Sequence, residues 1–217
     1  MAVAASQAPG KDVVFMELKT SDNFKIAATY YKAQKDTMDS IILLHMLGRN
    51  RNDWADLAQK LKANYDVLAI DFRGHGESDG DLDSFTAADF NKFMLDVRAA
   101  ANHLDGKGKK VVAIIGASIG ANIALNYAAE NNIERAVLLS PGMDYRGVKT
   151  EESARKYVGK ILFAASEDDS YSASSTRKLY EMTLAKKQLK IYQSAGHGTG
   201  MFASTDLDVM ISSWLKN

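Results

Sequence analysis

The 217-residue sequence contains no cysteine, which excludes disulfides, thiolate nucleophiles, cysteine-ligated zinc and iron–sulfur clusters. It has no excess of either charge, since 27 Lys and Arg balance 27 Asp and Glu. A nucleic acid or a membrane surface would need a basic excess, so we expect neither as a partner. No apolar run approaches the roughly 18 residues of a transmembrane helix, so we expect no membrane insertion. The 46% hydrophobic and 25% charged residues are ordinary for a soluble folded domain.

Linker-like sequence is also absent, since the chain has two prolines and no tract rich in Gly, Ser or Pro. Residues 1–10 are small, uncharged and end in Pro-Gly, which predicts a flexible N-terminal arm. Residues 11–217 have a length typical of a single domain. The small residues from Ala2 to Ala8 resemble the surroundings of a secretory cleavage site, although the charged and apolar regions of a signal peptide are missing. We therefore expect a cytoplasmic location by default, with export as the open alternative.

Hydrophobic patterning predicts an α/β fold with a mixed, mostly parallel sheet and helices on both faces. Two strand-like segments around Ser21-Asp22-Asn23 indicate an N-terminal antiparallel hairpin. Short apolar runs then alternate with segments of helical periodicity, which is typical of parallel strands buried on both faces. The predicted strands are Val13–Lys19, Phe24–Tyr31, Ser40–Leu44, Tyr65–Ile70, Lys110–Ile115, Arg135–Leu139, Lys160–Ala165 and Lys187–Tyr192. The predicted helices are Asn52–Ala63, Ala87–Leu104, Ile119–Glu130, Glu151–Tyr157, Ala173–Leu184 and Leu207–Leu215.

A G-x-S-x-G sequence, Gly116 to Gly120, lies between a predicted strand and a predicted helix. Ligands of such sheets bind beyond the carboxyl ends of the strands, so this turn is well placed for a functional site. A sharp strand-to-helix turn strains the backbone of its serine and admits only small residues at the glycine positions. It would lift the Ser118 hydroxyl above the sheet and aim the amide of Ile119 at the same space. Without that context the motif is weak, because a Gly/Ser turn can merely help a helix to pack on a strand.

A serine hydroxyl becomes a good nucleophile only when a base takes its proton. His197 lies in a glycine-rich loop just after the last predicted strand, which makes it the candidate base. The third member of such a site must accept a hydrogen bond from the imidazole. The segment Ser-Glu-Asp-Asp at residues 166–169 follows another strand and offers three carboxylates, and Asp144 offers a fourth. Periodicity does not choose among them.

The order of Ser118, an acidic residue and His197 resembles the α/β-hydrolase-fold serine hydrolases, and so does the segment D-F-R-G-H-G-E-S at residues 71–78. The resemblance extends from residue 13 to residue 217. In the family the 71–78 segment normally supports the site, which implies a structural role for His75. Many relatives insert a cap domain where this chain has only residues 140–159. The resemblance is therefore to esterase-like members without a large cap, and we expect an open site.

The resemblance also implies roles for individual residues. In the family the acid commonly stands three residues after the small residue that ends its strand. Counted from Ser166, this implies Asp169, with Asp168 as the nearest rival. The oxyanion donors would be the backbone amides of Ile119 and Leu47, because two aimed amides stabilise the charge that grows on the attacked carbonyl oxygen.

Met46 departs from the family, which usually has glycine at this position of an H-G-x-G loop. Met46, Met143 and Met201 lie in or beside the expected catalytic loops and are candidates for binding the substrate in an apolar pocket. Leu47, Tyr145, Tyr171 and Phe202 share that location, although such residues are more often ordinary packing.

The function implied by the resemblance is hydrolysis of a small-molecule carboxylic ester through an acyl-serine intermediate, with no metal or other cofactor. Within enzymes, the alternatives are a thioesterase, an acyltransferase or a peptidase with the same triad. The alternative from another class is a non-catalytic binding protein built on the hydrolase scaffold. The sequence makes no prediction of oligomeric state.

Overall fold

A mixed eight-stranded sheet organises residues 12–216, the part of the chain that a computed structural model describes. The predicted N-terminal arm, residues 1–10, lies outside the described residues. The strands of the sheet are β1 (Val13–Lys19), β2 (Lys25–Tyr31), β3 (Asp39–Leu44), β4 (Asp66–Ile70), β5 (Lys110–Ala117), β6 (Arg135–Leu139), β9 (Lys160–Ser166) and β10 (Lys186–Tyr192). Their spatial order is β1-β2-β4-β3-β5-β6-β9-β10. β1 pairs antiparallel with β2 and β2 antiparallel with β4, while the remaining pairs are parallel. The predicted mixed sheet and its N-terminal hairpin are thus confirmed.

Helices cover both faces of the sheet, as predicted. They are α1 (Ala55–Leu61), α2 (Ala87–Asn91), α3 (Phe93–Gly106), α4 (Ile119–Asn131), α5 (Glu151–Lys156), α6 (Ser170–Met182) and α7 (Leu207–Trp214). The apolar side chains of α1 and α7 pack in one core cluster, and those of α2 to α6 pack in the other. Successive residues of a strand point to opposite faces, so Ile114 joins one cluster while Ala113 and Ile115 join the other. None of the described helices is long and apolar enough to cross a membrane.

The observed helices differ from their predicted bounds at one or both ends, and two of the differences have an identifiable cause. The segment predicted as one helix from Ala87 to Leu104 is broken at Lys92 into α2 and α3. The first part begins at a capping box, in which Thr86 and Asp89 satisfy each other's backbone amides. Helix α6 begins at Ser170 rather than Ala173, because a side-chain cap from Asp169 extends it towards its N-terminus.

The segment between β6 and β9 holds a small hairpin, β7 (Asp144–Tyr145) and β8 (Val148–Lys149), followed by α5. Asn122 of α4 fixes this segment to the sheet. Its amide nitrogen donates to the carbonyl oxygen of Val148 (2.8 Å) and its amide oxygen accepts from the backbone N–H of Gly142 (2.9 Å). The segment is therefore packed on α4, directly beside the turn that follows β5.

Candidate active site

The turn between β5 and α4 holds Ser118 in a strained backbone conformation, with φ 55° and ψ −123°. A non-glycine residue in such a region costs about 1–3 kcal/mol and persists only where its surroundings enforce it. Here the Ser118 amide donates to the carbonyl oxygen of Leu139 (2.8 Å). A Cβ on Gly116 would collide with the backbone of Gly120, and one on Gly120 with the backbone oxygen of His45. The glycines of the motif are therefore required by close packing, and the turn fixes the position of Ser118.

His197 and Asp169 form a hydrogen-bonded pair. The imidazole Nδ1 lies 2.5 Å from Asp169 Oδ2. The other carboxylate oxygen, Oδ1, accepts weakly from the backbone amide of Ser172 (3.4 Å) and caps the N-terminus of α6. A helix N-terminus favours a negative charge, so α6 and the imidazole hold the carboxylate from two sides.

The two other acidic candidates have different partners. Asp168 accepts from the backbone amide of Gly196 (3.2 Å) and from the Ser194 hydroxyl (3.4 Å). A hydrogen bond from the Ser166 hydroxyl, supported by the amides of the loop, lowers the pKa of Asp168. Asp144 accepts from the backbone amide within its own hairpin turn (2.7 Å). Asp168 therefore anchors the loop that carries the histidine, whereas Asp169 contacts the imidazole itself.

The His197 loop packs directly against the Ser118 turn. The amide of Gly198 donates to the Ser140 hydroxyl (2.9 Å), and a Cβ at Gly198 would lie 3.4 Å from that of Ala117. Within residues 12–216 the His197 imidazole is hydrogen-bonded through Nδ1, and no hydrogen bond joins it to Ser118. Catalytic hydrogen bonds are often long in substrate-free enzymes and shorten when substrate binds. The structure thus brings the three predicted side chains to one sheet edge and joins two of them.

The resemblance implies the backbone amides of Ile119 and Leu47 as the two oxyanion donors. Ile119 is the first residue of α4, where backbone amides have no partner within the helix. Leu47 follows β3, in the loop that packs on Gly120. Neither amide has a hydrogen-bond partner among the described residues. Across that same part of the chain, no three His, Asp or Glu side chains are grouped so as to hold a metal ion.

His45, a fully buried histidine, supports the loop after β3 that carries Leu47. His45 Nε2 accepts from the backbone amide of Phe72 (2.9 Å), so Nδ1 carries the proton and donates to the carbonyl oxygen of Met46 (2.7 Å). Burial lowers the pKa of His45 to about 3. The ring of His75 lies 4.9 Å away and its Nδ1 contacts the carbonyl oxygen of Arg73 (3.0 Å). The His45 ring thus joins the loop after β3 to the segment after β4, while the structural role implied for His75 stays a prediction.

The three methionines predicted to bind substrate are not brought together. Met46 is half-buried and lines a cavity of about 920 Å³ with Thr199 and Phe202 among its other walls. Met201 is fully buried in the core cluster beneath α1 and α7. Met143 packs against the cluster on the opposite face. Of the three, Met46 therefore has the position best suited to meet a ligand.

The sequence analysis missed the hydroxyl groups of Ser172 and Ser140 at the site. It named Tyr145 only as a residue that could line an apolar pocket. Ser172 Oγ lies 3.4 Å from His197 Nδ1 and 2.8 Å from the Tyr145 hydroxyl. Ser140 supplies the hydroxyl that accepts from the loop after the histidine. The position of Ser140, directly after β6, could have revealed it, because the other candidate residues also follow strand ends. Nothing in the sequence pattern distinguishes Ser172 from the other serines of α6.

Comparison with known proteins gives a family match over more than half of the chain. The model of the alpha/beta hydrolase fold family matches residues 39–163. An uncharacterized protein of Mycobacterium bovis is 29% identical over 105 residues, 48% of this chain and 29% of that protein. A soluble epoxide hydrolase of Corynebacterium sp. is 27% identical over 133 residues, 59% and 44% of the two chains. A pimeloyl-[acyl-carrier protein] methyl ester esterase of Neisseria meningitidis is 32% identical over 100 residues, which are 46% of this chain and 35% of that protein. The chain spans less than half the length of each of these relatives.

Solved structures share the fold over nearly the whole chain. An esterase of Pyrococcus furiosus has a TM-score of 0.79 at 20% identity, covering 94% of this chain and 91% of its own. An esterase of Exiguobacterium antarcticum has a TM-score of 0.78 at 15% identity, covering 94% of this chain and 100% of its own. At these identities the likeness is one of fold.

Proposed function

Since the chain belongs to the alpha/beta hydrolase fold family, we propose that it is a serine hydrolase that cleaves carboxylic esters through an acyl-serine intermediate. The observation that carries the proposal is the 2.5 Å contact between His197 Nδ1 and Asp169, made beside the strained turn of Ser118. A carboxylate at Nδ1 leaves Nε2 as the nitrogen that can take a proton from a hydroxyl group. Esterases among the structures with the same fold, and an esterase among the partial relatives, support the same class of reaction.

In the proposed acylation step, Ser118 Oγ attacks the ester carbonyl carbon while His197 Nε2 takes the hydroxyl proton. Asp169 stabilises the imidazolium that forms. The negative charge moves to the carbonyl oxygen, where the free amides of Ile119 and Leu47 can donate to it. When the tetrahedral intermediate collapses, the bond to the alcohol oxygen breaks. The imidazolium gives its proton to the departing alcohol, and the acyl group remains on Ser118.

Deacylation repeats these events with water. The imidazole takes a proton from a water molecule, which attacks the acyl carbon, and the same two amides again receive the negative charge. Collapse of the second intermediate returns the proton to Ser118 and releases the carboxylic acid. The cycle needs no group beyond the side chains and amides already described.

Ester cleavage fits a hydroxyl nucleophile better than the epoxide opening that one relative's name suggests. If Ser118 opened an epoxide, the product would be an ether bond to the enzyme, which water and an imidazole do not hydrolyse. An acyl-serine ester, by contrast, is open to attack by water at its carbonyl carbon. The nucleophile type thus favours acyl transfer to water.

The test replaces Ser118 with alanine and measures hydrolysis of p-nitrophenyl acetate and labelling by a fluorophosphonate probe. Loss of a serine nucleophile lowers kcat by about 10⁴-fold or more, so we expect Ser118→Ala to lose both turnover and labelling. Ser84→Ala is the matched control, because the Ser84 hydroxyl binds only the carbonyl oxygen of Asp81 on an exposed turn. Turnover or labelling that survives in Ser118→Ala would remove this serine from the mechanism.

Substrate class is tested with the wild-type protein on p-nitrophenyl esters, a thioester and an anilide of the same short acyl group. We expect the ester to have the highest kcat/KM of the three. A higher kcat/KM for the thioester or the anilide would transfer the assignment to a thioesterase or a peptidase. An absence of both turnover and probe labelling would favour a binding protein on the hydrolase scaffold.

A further inference from the structure

Two hydroxyl groups connect the acid–base pair to the backbone at Ser140 by a route separate from the triad. The hydroxyl of Ser172, which is fully buried, lies 2.8 Å from the Tyr145 hydroxyl and 3.4 Å from His197 Nδ1. The Tyr145 hydroxyl also lies 3.3 Å from the carbonyl oxygen of Ser140.

The ring of Tyr145 is held in place independently of its hydroxyl. Its centroid lies 6.3 Å from that of the His197 imidazole, with an edge-on interplanar angle of 86°. On the other side it lies 5.5 Å from the ring of Tyr171, also edge-on. Edge-on contacts of this kind stabilise aromatic pairs. Removal of the hydroxyl alone should therefore leave the ring in position, which makes the hydroxyl separately testable.

The hydroxyl of Tyr145 stays protonated under ordinary conditions. Burial raises the pKa of Tyr145 to about 12, while hydrogen bonding by Ser172 and, more weakly, by Ser118 opposes that rise. Tyr145 therefore has one proton to donate, and the Ser140 carbonyl oxygen accepts it.

The proton directions along this route are consistent with one another. His197 Nδ1 donates mainly to the carboxylate at 2.5 Å and leaves Ser172 as a secondary acceptor at 3.4 Å. The Ser172 hydroxyl is then free to donate to the oxygen of Tyr145, and Tyr145 donates onward to the carbonyl oxygen of Ser140. The same Ser172 residue gives its backbone amide to Asp169, so its position is tied to both members of the acid–base pair.

We propose that Tyr145 and Ser172 are positioning residues that act as one hydroxyl chain, holding the His197 imidazole towards Asp169 for proton transfer. The inference rests on the proposed function, because it assigns these hydroxyls to the same acyl-transfer step. Ser172 contacts both the imidazole and Asp169, and Tyr145 links Ser172 to the backbone carbonyl oxygen of Ser140.

The test uses Tyr145→Phe, Ser172→Ala and the double variant, with kcat and KM measured on p-nitrophenyl acetate. A hydrogen bond of this kind is worth about tenfold, so each single change should lower kcat by about tenfold with KM changed by less than about twofold. Because the two hydroxyls act in series, the double variant should be no slower than the worse single variant within about twofold. Single-variant losses that multiply in the double variant, or kcat unchanged in both single variants, would overturn the proposal.

Tyr157→Phe is the matched control for the tyrosine change. The Tyr157 hydroxyl is also buried and also binds backbone carbonyl oxygens, those of Ile133 (3.0 Å) and Lys160 (3.1 Å), but it lies outside the site. It should lower the melting temperature at least as much as Tyr145→Phe and leave kcat unchanged. A fall in kcat that follows melting temperature in both variants would show a structural role for Tyr145 and overturn the proposal.

Fluorophosphonate labelling separates this inference from the proposed function. If the wild-type protein labels at Ser118 and Tyr145→Phe labels at the same rate, the hydroxyl chain is wrong while the serine hydrolase stands. If the wild-type protein does not label and does not turn over esters, the proposed function fails and the chain fails with it. We expect wild-type labelling and a rate about tenfold lower in each single variant.

Discussion

His45 should make the folded protein lose stability as the pH falls below neutrality. The ring is fully buried, and its two nitrogens are both engaged in the neutral form, with Nδ1 donating to Met46 and Nε2 accepting from Phe72. A second proton would have to enter at Nε2, where the amide of Phe72 already donates. Burial disfavours the charged ring most, and His75 and Arg51 add to it, while the hydrogen bond to Met46 and the charge of Asp53 only partly offset them.

The size of the effect follows from the difference between folded and unfolded pKa values. The pKa of His45 falls from 6.5 to about 3 on folding. Between those two values the unfolded chain binds the proton and the folded chain does not, so the free energy of unfolding increases with pH. The contribution is fully present above the unfolded pKa and is lost as the pH falls through that range. At about 1.36 kcal/mol per pH unit, acidification from pH 7 to pH 4 should cost about 3 kcal/mol through this one group.

The assay is urea unfolding of the wild-type protein and of His45→Gln at pH 7 and pH 4. Glutamine can still accept from the Phe72 amide but does not titrate, so the variant should be less stable at pH 7 by about 1 kcal/mol. Carboxylates protonate in both proteins and cancel in the comparison. We expect the wild-type protein to lose about 3 kcal/mol more than the variant between the two pH values. Equal losses would refute the assignment of His45 as a buried neutral ring.

Three further predictions concern the loops of the site and its support. Asp169→Asn should lower kcat by roughly 10³–10⁴-fold, whereas Asp168→Asn, which removes only a loop anchor, should lower it by less than about tenfold. Steady-state kinetics on p-nitrophenyl acetate compare the two variants, and similar losses of kcat would contradict their separate roles. Gly198→Ala places a Cβ against the Met46 sulfur at φ +56° and should lower the free energy of unfolding in urea by about 1–3 kcal/mol. Adding Met46→Ala should recover part of that loss, and no recovery would exclude the clash. Arg73→Ala leaves a buried carboxylate uncompensated and should cost about 3–5 kcal/mol by the same measurement, so a loss below about 1 kcal/mol would contradict it.

The positions of the strands and their mostly parallel pairing could be predicted from the sequence because the sheet is buried on both faces. A strand covered on both sides shows as a short continuous apolar run, and the runs of β3, β4, β5, β6 and β9 are of this kind. The break at Lys92 was not predictable in this way, because apolar residues keep their helical spacing across it. The pattern does not show that the backbone amide of Lys92 bonds to the carbonyl oxygen of Asp89, three residues earlier, where α2 ends and α3 follows.

The choice between neighbouring acids shows where pattern reasoning stops. Asp168 and Asp169 are adjacent, equally acidic and follow the same strand, so only the path of the loop decides which of them meets the imidazole. In the structure Asp169 caps α6 and faces His197, while Asp168 turns to the amide of Gly196. The resemblance to a family supplied that choice, and its catalytic role stays a prediction. Ser172 escaped notice for a related reason, since its position depends on the same cap.

The methionine that replaces the usual glycine after His45 is accommodated by a glycine on another loop. Met46 packs against Gly198, where any Cβ would collide with its sulfur, and its sulfur also accepts from the Thr199 hydroxyl (3.9 Å). The loop that carries Leu47 therefore leans on the loop that carries His197, two segments far apart in sequence. A larger side chain at either position would shift one proposed oxyanion donor or the proposed base. Because this contact joins the two loops, a change at Met46 or Gly198 should act on catalysis and on stability together.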